Sequence, residues 1–176
     1  MATQRTADAA RYLTGPAYGI AVLFVLLPII DTLAQTWPLA LSNPAWRYGT
    51  IGLGANYLIS ALLGMFGLCL LAALGSHRRT LRALAIASGV AALMLLIATL
   101  AFLLDALQLR AAVPRDPPRT LWMFDVGAAK AAFKYLVSAA VMGWLGFATW
   151  RAGRAIPVPA ADDVAPKLVH EQKDKE

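Results

Sequence analysis

One cysteine, Cys69, and two histidines, His77 and His170, in 176 residues leave little for redox or metal chemistry. A single thiol forms neither an internal disulfide nor a C-x-x-C pair, and no thiolate zinc site. Neither histidine falls in an apolar run, so a bis-histidine haem has no axial ligands. Charge is scarce too: 15% of residues are Asp, Glu, Lys or Arg against 59% hydrophobic, and the mean hydropathy is +0.60. A soluble domain of this size exposes too much surface for so few charges, and the chain is too apolar to be disordered throughout. The sequence holds no H-E-x-x-H, no P-loop, no Ser–His pair and no strand-borne dinucleotide fingerprint. The reading is therefore a non-enzyme with no cofactor and no metal, built for a lipid bilayer. The net charge of +6 needs no nucleic acid, because membrane topology and anionic lipid account for it.

What is present is a set of long apolar runs. A helix rising about 1.5 Å per residue needs about 20 residues to cross roughly 30 Å of hydrocarbon. Four segments satisfy this, over about 16–35, 48–74, 81–107 and 122–150. They are continuous and rich in Ala and Leu, which excludes the alternation of a membrane β-barrel. The expected fold is all-α: an integral membrane protein with four transmembrane helices in an up-down bundle, residues 1–154 forming the transmembrane domain. The first segment has the length of a signal-peptide core, but its only small-residue site follows Asp31, so it is read as a retained helix. Beyond Arg154 the composition turns to Pro157, Pro159, Pro166 and a charged run, so 155–176 reads as a disordered cytoplasmic tail.

Lysine and arginine set the expected orientation. Arg5, Arg11, Arg78, Arg79, Arg82, Arg151, Arg154, Lys167, Lys173 and Lys175 fall on one side, against Arg47, Arg110, Arg115 and Arg119 on the other. That imbalance places both termini in the cytoplasm of a bacterial-type inner membrane. Trp37, Trp46, Tyr48 and Trp122 then mark the outer interface, and Tyr12, Tyr18 and Trp150 the inner one. Ser42-Asn43-Pro44 reads as a helix cap followed by proline at the first helical position. The whole stretch Asn43-Pro44-Ala45-Trp46-Arg47-Tyr48-Gly49 has the look of a motif without pointing to a family. The prolines at 114, 117 and 118 exclude helix from the second outer connection, 108–121. Gly75-Ser76-His77-Arg78-Arg79 is a tight turn that makes the second and third segments antiparallel neighbours.

Two features carry the functional reading. On the second segment Gly49, Gly52, Asn56, Ser60, Gly64 and Gly67 recur at helical spacing, and Gly52, Ser60, Gly64 and Gly67 form a face for close helix packing. The second feature is a polar cluster inside the membrane: Asp31, Lys134, Asp105, Lys130 and Asn56. Counting from the inner anchors, Asp31 lies about 22 Å and Lys134 about 24 Å out, while Lys130 at about 30 Å and Asp105 at about 34 Å reach the boundary. The depths suggest an Asp31–Lys134 ion pair, with Lys130 and Asp105 above it and the Phe24 carbonyl, freed by Pro28, below. The sequence Ile29-Ile30-Asp31-Thr32-Leu33 resembles Leu103-Leu104-Asp105-Ala106-Leu107, which hints at two related hairpins. Cys69, among Leu and Ala, reads as an inert buried thiol. The chain is expected to be a non-catalytic accessory or structural subunit of a membrane complex, partnered by lipid and by a membrane protein or further copies of itself. The alternative is a small transporter or ligand-binding protein using an outward-facing Asp/Lys pocket.

Overall fold

Steps of three and four residues between small or apolar side chains organise the molecule. In the computed structural model, which describes residues 2–114 and 118–155, every element is helical: α1 (Ala2–Thr36), α2 (Pro44–Gly54), α3 (Leu58–Leu74), α4 (Arg78–Arg110) and α5 (Pro118–Ala155). α1 from Leu13 onward, α4 and α5 are each long and apolar enough to cross a membrane. α2 and α3 make a fourth span if the bent pair counts as one.

α4 buries Leu81, Ala85, Ser88, Thr99, Phe102 and Ala106, and half-buried Ala92 and Leu95 complete the series. α5 answers with Ala128, Ala131, Ala132, Tyr135, Ser138, Ala139, Met142, Gly146, Thr149 and Gly153. Such alternating steps keep one seam facing a neighbouring helix. The residues are small because lipid offers no hydrophobic drive, so association depends on close backbone approach and dense van der Waals contact. A Cβ on Gly146 would stand 3.1 Å from the Ala85 carbonyl. This α4–α5 seam is the most extensive contact in the molecule, and the α1–α3 pair is second. α3 does meet α4 across their turn, but less extensively than either helix meets its other partner.

That turn is closed by hydrogen bonds. The Ser76 N–H donates to the Ala73 carbonyl (3.1 Å) and the His77 N–H to that of Ala72 (2.9 Å), the paired bonds of a Schellman motif. Ser76, with φ of 54°, takes the left-handed position usually given to glycine. Gly75 before it is right-handed, and its missing Cβ makes room for the His77 ring.

The structure corrects the sequence expectations in three places. The second segment is not one continuous helix: α2 and α3 meet at 51° across Ala55, Asn56 and Tyr57. Gly52, Gly54 and Asn56 in quick succession weaken the helix there, and the N–H groups of Asn56 and Tyr57 fall back onto carbonyls three residues earlier. In the second outer connection α4 persists to Arg110 and α5 resumes at Pro118. Proline is tolerated in a first helical turn, where its missing N–H would have had no partner. The Tyr48 ring, expected as an aromatic anchor at the outer interface, packs inside the bundle instead, stacked between Phe102 (4.8 Å) and Phe124 (5.2 Å). The tail beyond Ala155 lies outside the described residues.

Candidate functional site

The polar groups gather around the break between α2 and α3, and the stretch Asn43–Gly49 builds one side of it. The Asn43 side chain accepts from the Ala45 N–H at 2.9 Å and caps α2, with Pro44 at the first helical position. Trp46 donates its indole N–H to the Thr36 carbonyl at the end of α1 (3.1 Å). Arg47 reaches across to α4: its Nε donates to Asp105 Oδ2 at 2.9 Å and its Nη2 to Oδ1 at 2.5 Å. Its third arm, Nη1, donates to the Leu41 carbonyl at 2.8 Å. The guanidinium thus meets the carboxylate with two parallel bonds, the geometry that a planar fork favours.

Asp105 is 2% exposed, and Arg47 is its counter-ion. Depth counted along α4 from Arg82 puts this acid in the same layer as Lys130, and the structure gives it Arg47 as its ion-pair partner. Arg47 carries a signal the sequence held, an arginine one helical turn past an N-cap at the level of Asp105. Counted only as a charge in an outer loop, it goes unnoticed as a partner. A second pair, Arg110 to Asp125 at 2.7 Å and 2.9 Å, ties the end of α4 to the start of α5 and was likewise missed.

The expected Asp31–Lys134 pair does not form. Lys134 Nζ donates to Asn56 Oδ1 at 3.0 Å, on the exposed residue in the middle of the break. The flexible lysine stem reaches from α5 to the break. Asp31 is exposed, and among the described residues it has neither an ion pair nor a hydrogen bond. The buried positions of α1 are Ala21, Pro28 and Thr36, with Thr32 half-buried, so Asp31 points away from that face. Lys130 is exposed one turn above Lys134 and equally unpaired among the described residues. The two related pentapeptides therefore put their acids in opposite environments, Asp31 outside the bundle and Asp105 inside it.

The small residues of the second segment divide at the break. Below it, Gly64 touches α1: a Cβ there would fall 2.7 Å from the Ala21 carbonyl and 2.9 Å from Phe24 Cβ. Gly67 faces Ala21 as well, at 3.4 Å. Ser60 donates to the Phe24 carbonyl at 3.3 Å, the acceptor that Pro28 leaves without its helical donor. Above the break, Gly52 faces Phe102 on α4, and Gly54 admits the Tyr135 hydroxyl, which donates to the Ile51 carbonyl at 2.8 Å. Gly49 meets nothing within 4 Å.

Between α1 and the break lies a cavity of about 290 Å³, walled by Pro28, Leu33, Leu58 and Leu95 among others. Its hydroxyls are already engaged. Thr32 donates to the Pro28 carbonyl (2.7 Å), Tyr57 accepts from Gln35 (2.9 Å) and Tyr135 donates as above. No charged side chain lines it. Among the described residues no three metal-ligating side chains converge. Cys69 is buried beside Ser88 and Thr149, far along α3 from the break. Comparison with protein-family models, with curated proteins and with solved structures finds no match to this chain.

Proposed function

We propose that the chain is a non-catalytic subunit of a membrane assembly and that the outward flank of α1 is where it meets its neighbour. One observation carries this reading: Asp31 projects from an otherwise apolar, exposed helix surface with no partner in its own chain. A carboxylate at membrane depth costs about 2.5–3.5 kcal/mol even on insertion scales, so it is ordinarily paired or hydrated. Within the same cluster Asp105 has Arg47 and Lys134 has Asn56, while Lys130, unpaired like Asp31 among the described residues, lies by helical rise at the outer boundary, where a long side chain reaches the headgroups. α1 is also the least covered of the three long spans, with 11% of its most apolar window buried against 22% for α4 and 39% for α5. A neighbouring subunit that brings a cation or a hydrogen-bond donor to Asp31 would remove both anomalies. The asymmetry of Lys and Arg supports a bacterial-type inner membrane with both termini in the cytoplasm.

Size after extraction in a mild detergent tests the proposal. The native chain should run well above its 18.8 kDa mass plus detergent, and Asp31→Leu should run as a smaller species that remains folded. A native chain that is monomeric in both detergent and nanodiscs sinks the reading. A second reading, a small transporter, is favoured by the helix break with a lysine on it, since broken helices form ligand sites in transporters. Flux of a small anion into liposomes that vanishes in Lys134→Met would favour it over the first.

A further inference from the structure

At the opposite end of the bundle from the helix break, an apolar groove opens beside His77, the residue that precedes an arginine-rich stretch of α4. Two adjoining hollows make that groove. One, of about 800 Å³, opens at the turn between Leu13 of α1, Gly75 and His77. The other, of about 360 Å³, runs on between α1 and α3 as far as Phe24 and Gly64. Ala17 and Leu71 line both, so the two are continuous. From Leu13 to Phe24 along α1 is roughly 16 Å, about half of a 30 Å hydrocarbon layer and so the depth of one leaflet. Its inner part is lined by apolar side chains, with Thr14 and His77 at the mouth. Gly64 and Gly67 line its deeper part, and at the mouth the Tyr18 hydroxyl lies 3.3 Å from His77 Nδ1.

Directly after His77, the first two turns of α4 carry Arg78, Arg79 and Arg82. Gly153 packs against Leu81 and Arg82, which brings the end of α5, with Arg151 and Arg154, to the same level. Among the described residues none of these five guanidinium groups pairs with a carboxylate; the described ion pairs both lie at the other end. Arg78 Nε is buried and has no acceptor among the described residues. Surplus positive charge above a leaflet-deep apolar groove matches one class of molecule, a diacyl phospholipid with an anionic headgroup.

We propose that this end of the molecule holds an anionic phospholipid, with an acyl chain in the α1–α3 groove and its phosphate among Arg78, Arg79 and Arg82. The occupant is a lipid and not a free anion, because the groove serves only a chain-bearing ligand. Native mass spectrometry of the full chain released from nanodiscs of equal phosphatidylglycerol and phosphatidylcholine tests it. The native protein should retain phosphatidylglycerol preferentially, and Arg79→Gln with Arg82→Gln should lower that preference by about fivefold per guanidinium removed. Arg119→Gln, at the other end, should leave it unchanged. Ala17→Phe, which fills the groove without touching a charge, should lower retention of both lipids, and glycerophosphoglycerol without acyl chains should not compete. Equal retention of the two lipids by the native protein overturns the proposal, as does competition by the free headgroup or an equal loss in Arg119→Gln. If the double variant does not fold, the native preference, the headgroup competition and Ala17→Phe still decide.

Discussion

At the scale of single residues, the intramembrane acids are told apart by which way they point. Asp105 is enclosed and clasped by Arg47, whereas Asp31, on a helix of similar composition, faces outward. Breaking a buried pair from one side strands the remaining charge, while removing both partners leaves a neutral contact. Arg47→Met and Asp105→Leu alone should therefore each lower the thermal midpoint in detergent by several degrees. The double variant should recover much of the loss, because the two effects are coupled and not additive. Additive losses would show that the clasp contributes nothing to stability. The sequence makes all of these charges visible and gives their position along each helix. It does not give their azimuth, because α1, α4 and α5 are apolar nearly all round and nothing in such a pattern marks the face that packs. Hence Lys134 could be placed near the level of Asp31, yet its partner proves to be Asn56 on another helix.

Among the elements, the contacts of α3 are set by where it lacks side chains. Gly64 lies on the backbone of α1, while Gly49 on α2 and Gly89 on α4 face open space. Gly64→Leu should force α1 and α3 apart and destabilise the fold by about 1–3 kcal/mol, the usual range for overpacking. Gly49→Ala and Gly89→Ala should change stability little or raise it, since alanine is the better helix former by about 1 kcal/mol. Thermal unfolding followed by circular dichroism distinguishes the two classes, and equal behaviour of Gly64→Leu and Gly49→Ala would show that the α1–α3 contact is not a close one. The stripe of small residues was legible in the sequence. Its division was not, because the stripe runs straight through Ala55–Tyr57 and only the bend turns its upper part toward α4 and α5. The seam between α4 and α5 was legible in principle: Leu81, Ser88, Leu95 and Phe102 recur every seven residues, with Ala85, Ala92, Thr99 and Ala106 between them. A search for apolar length alone passes over that repeat.

For the whole molecule, the bent pair decides sidedness. If α2 and α3 cross together, four spans return the chain to the side where it began; if they turn back, three spans leave its ends on opposite sides. A cytoplasm-active reporter placed in the 75–80 turn or after Glu176 should be active, and one at Pro117 silent. An active reporter at Pro117 together with a silent one after Glu176 would reverse the orientation. The all-helical character and the number of apolar runs were plain from composition. The break was less so, since hydropathy averaged over a window smooths across three residues. The clasp between Arg47 and Asp105 also has a consequence in time. Its halves are separated by 58 positions in the chain, and a ribosome adding 5–20 residues per second needs roughly 3–12 s to make the second after the first. During that interval α1 and α3 already have each other, but Arg47 has no counter-ion within the membrane. Arg47 therefore gains its counter-ion only once α4 has been made, and α5, with the Arg110–Asp125 pair, follows later still.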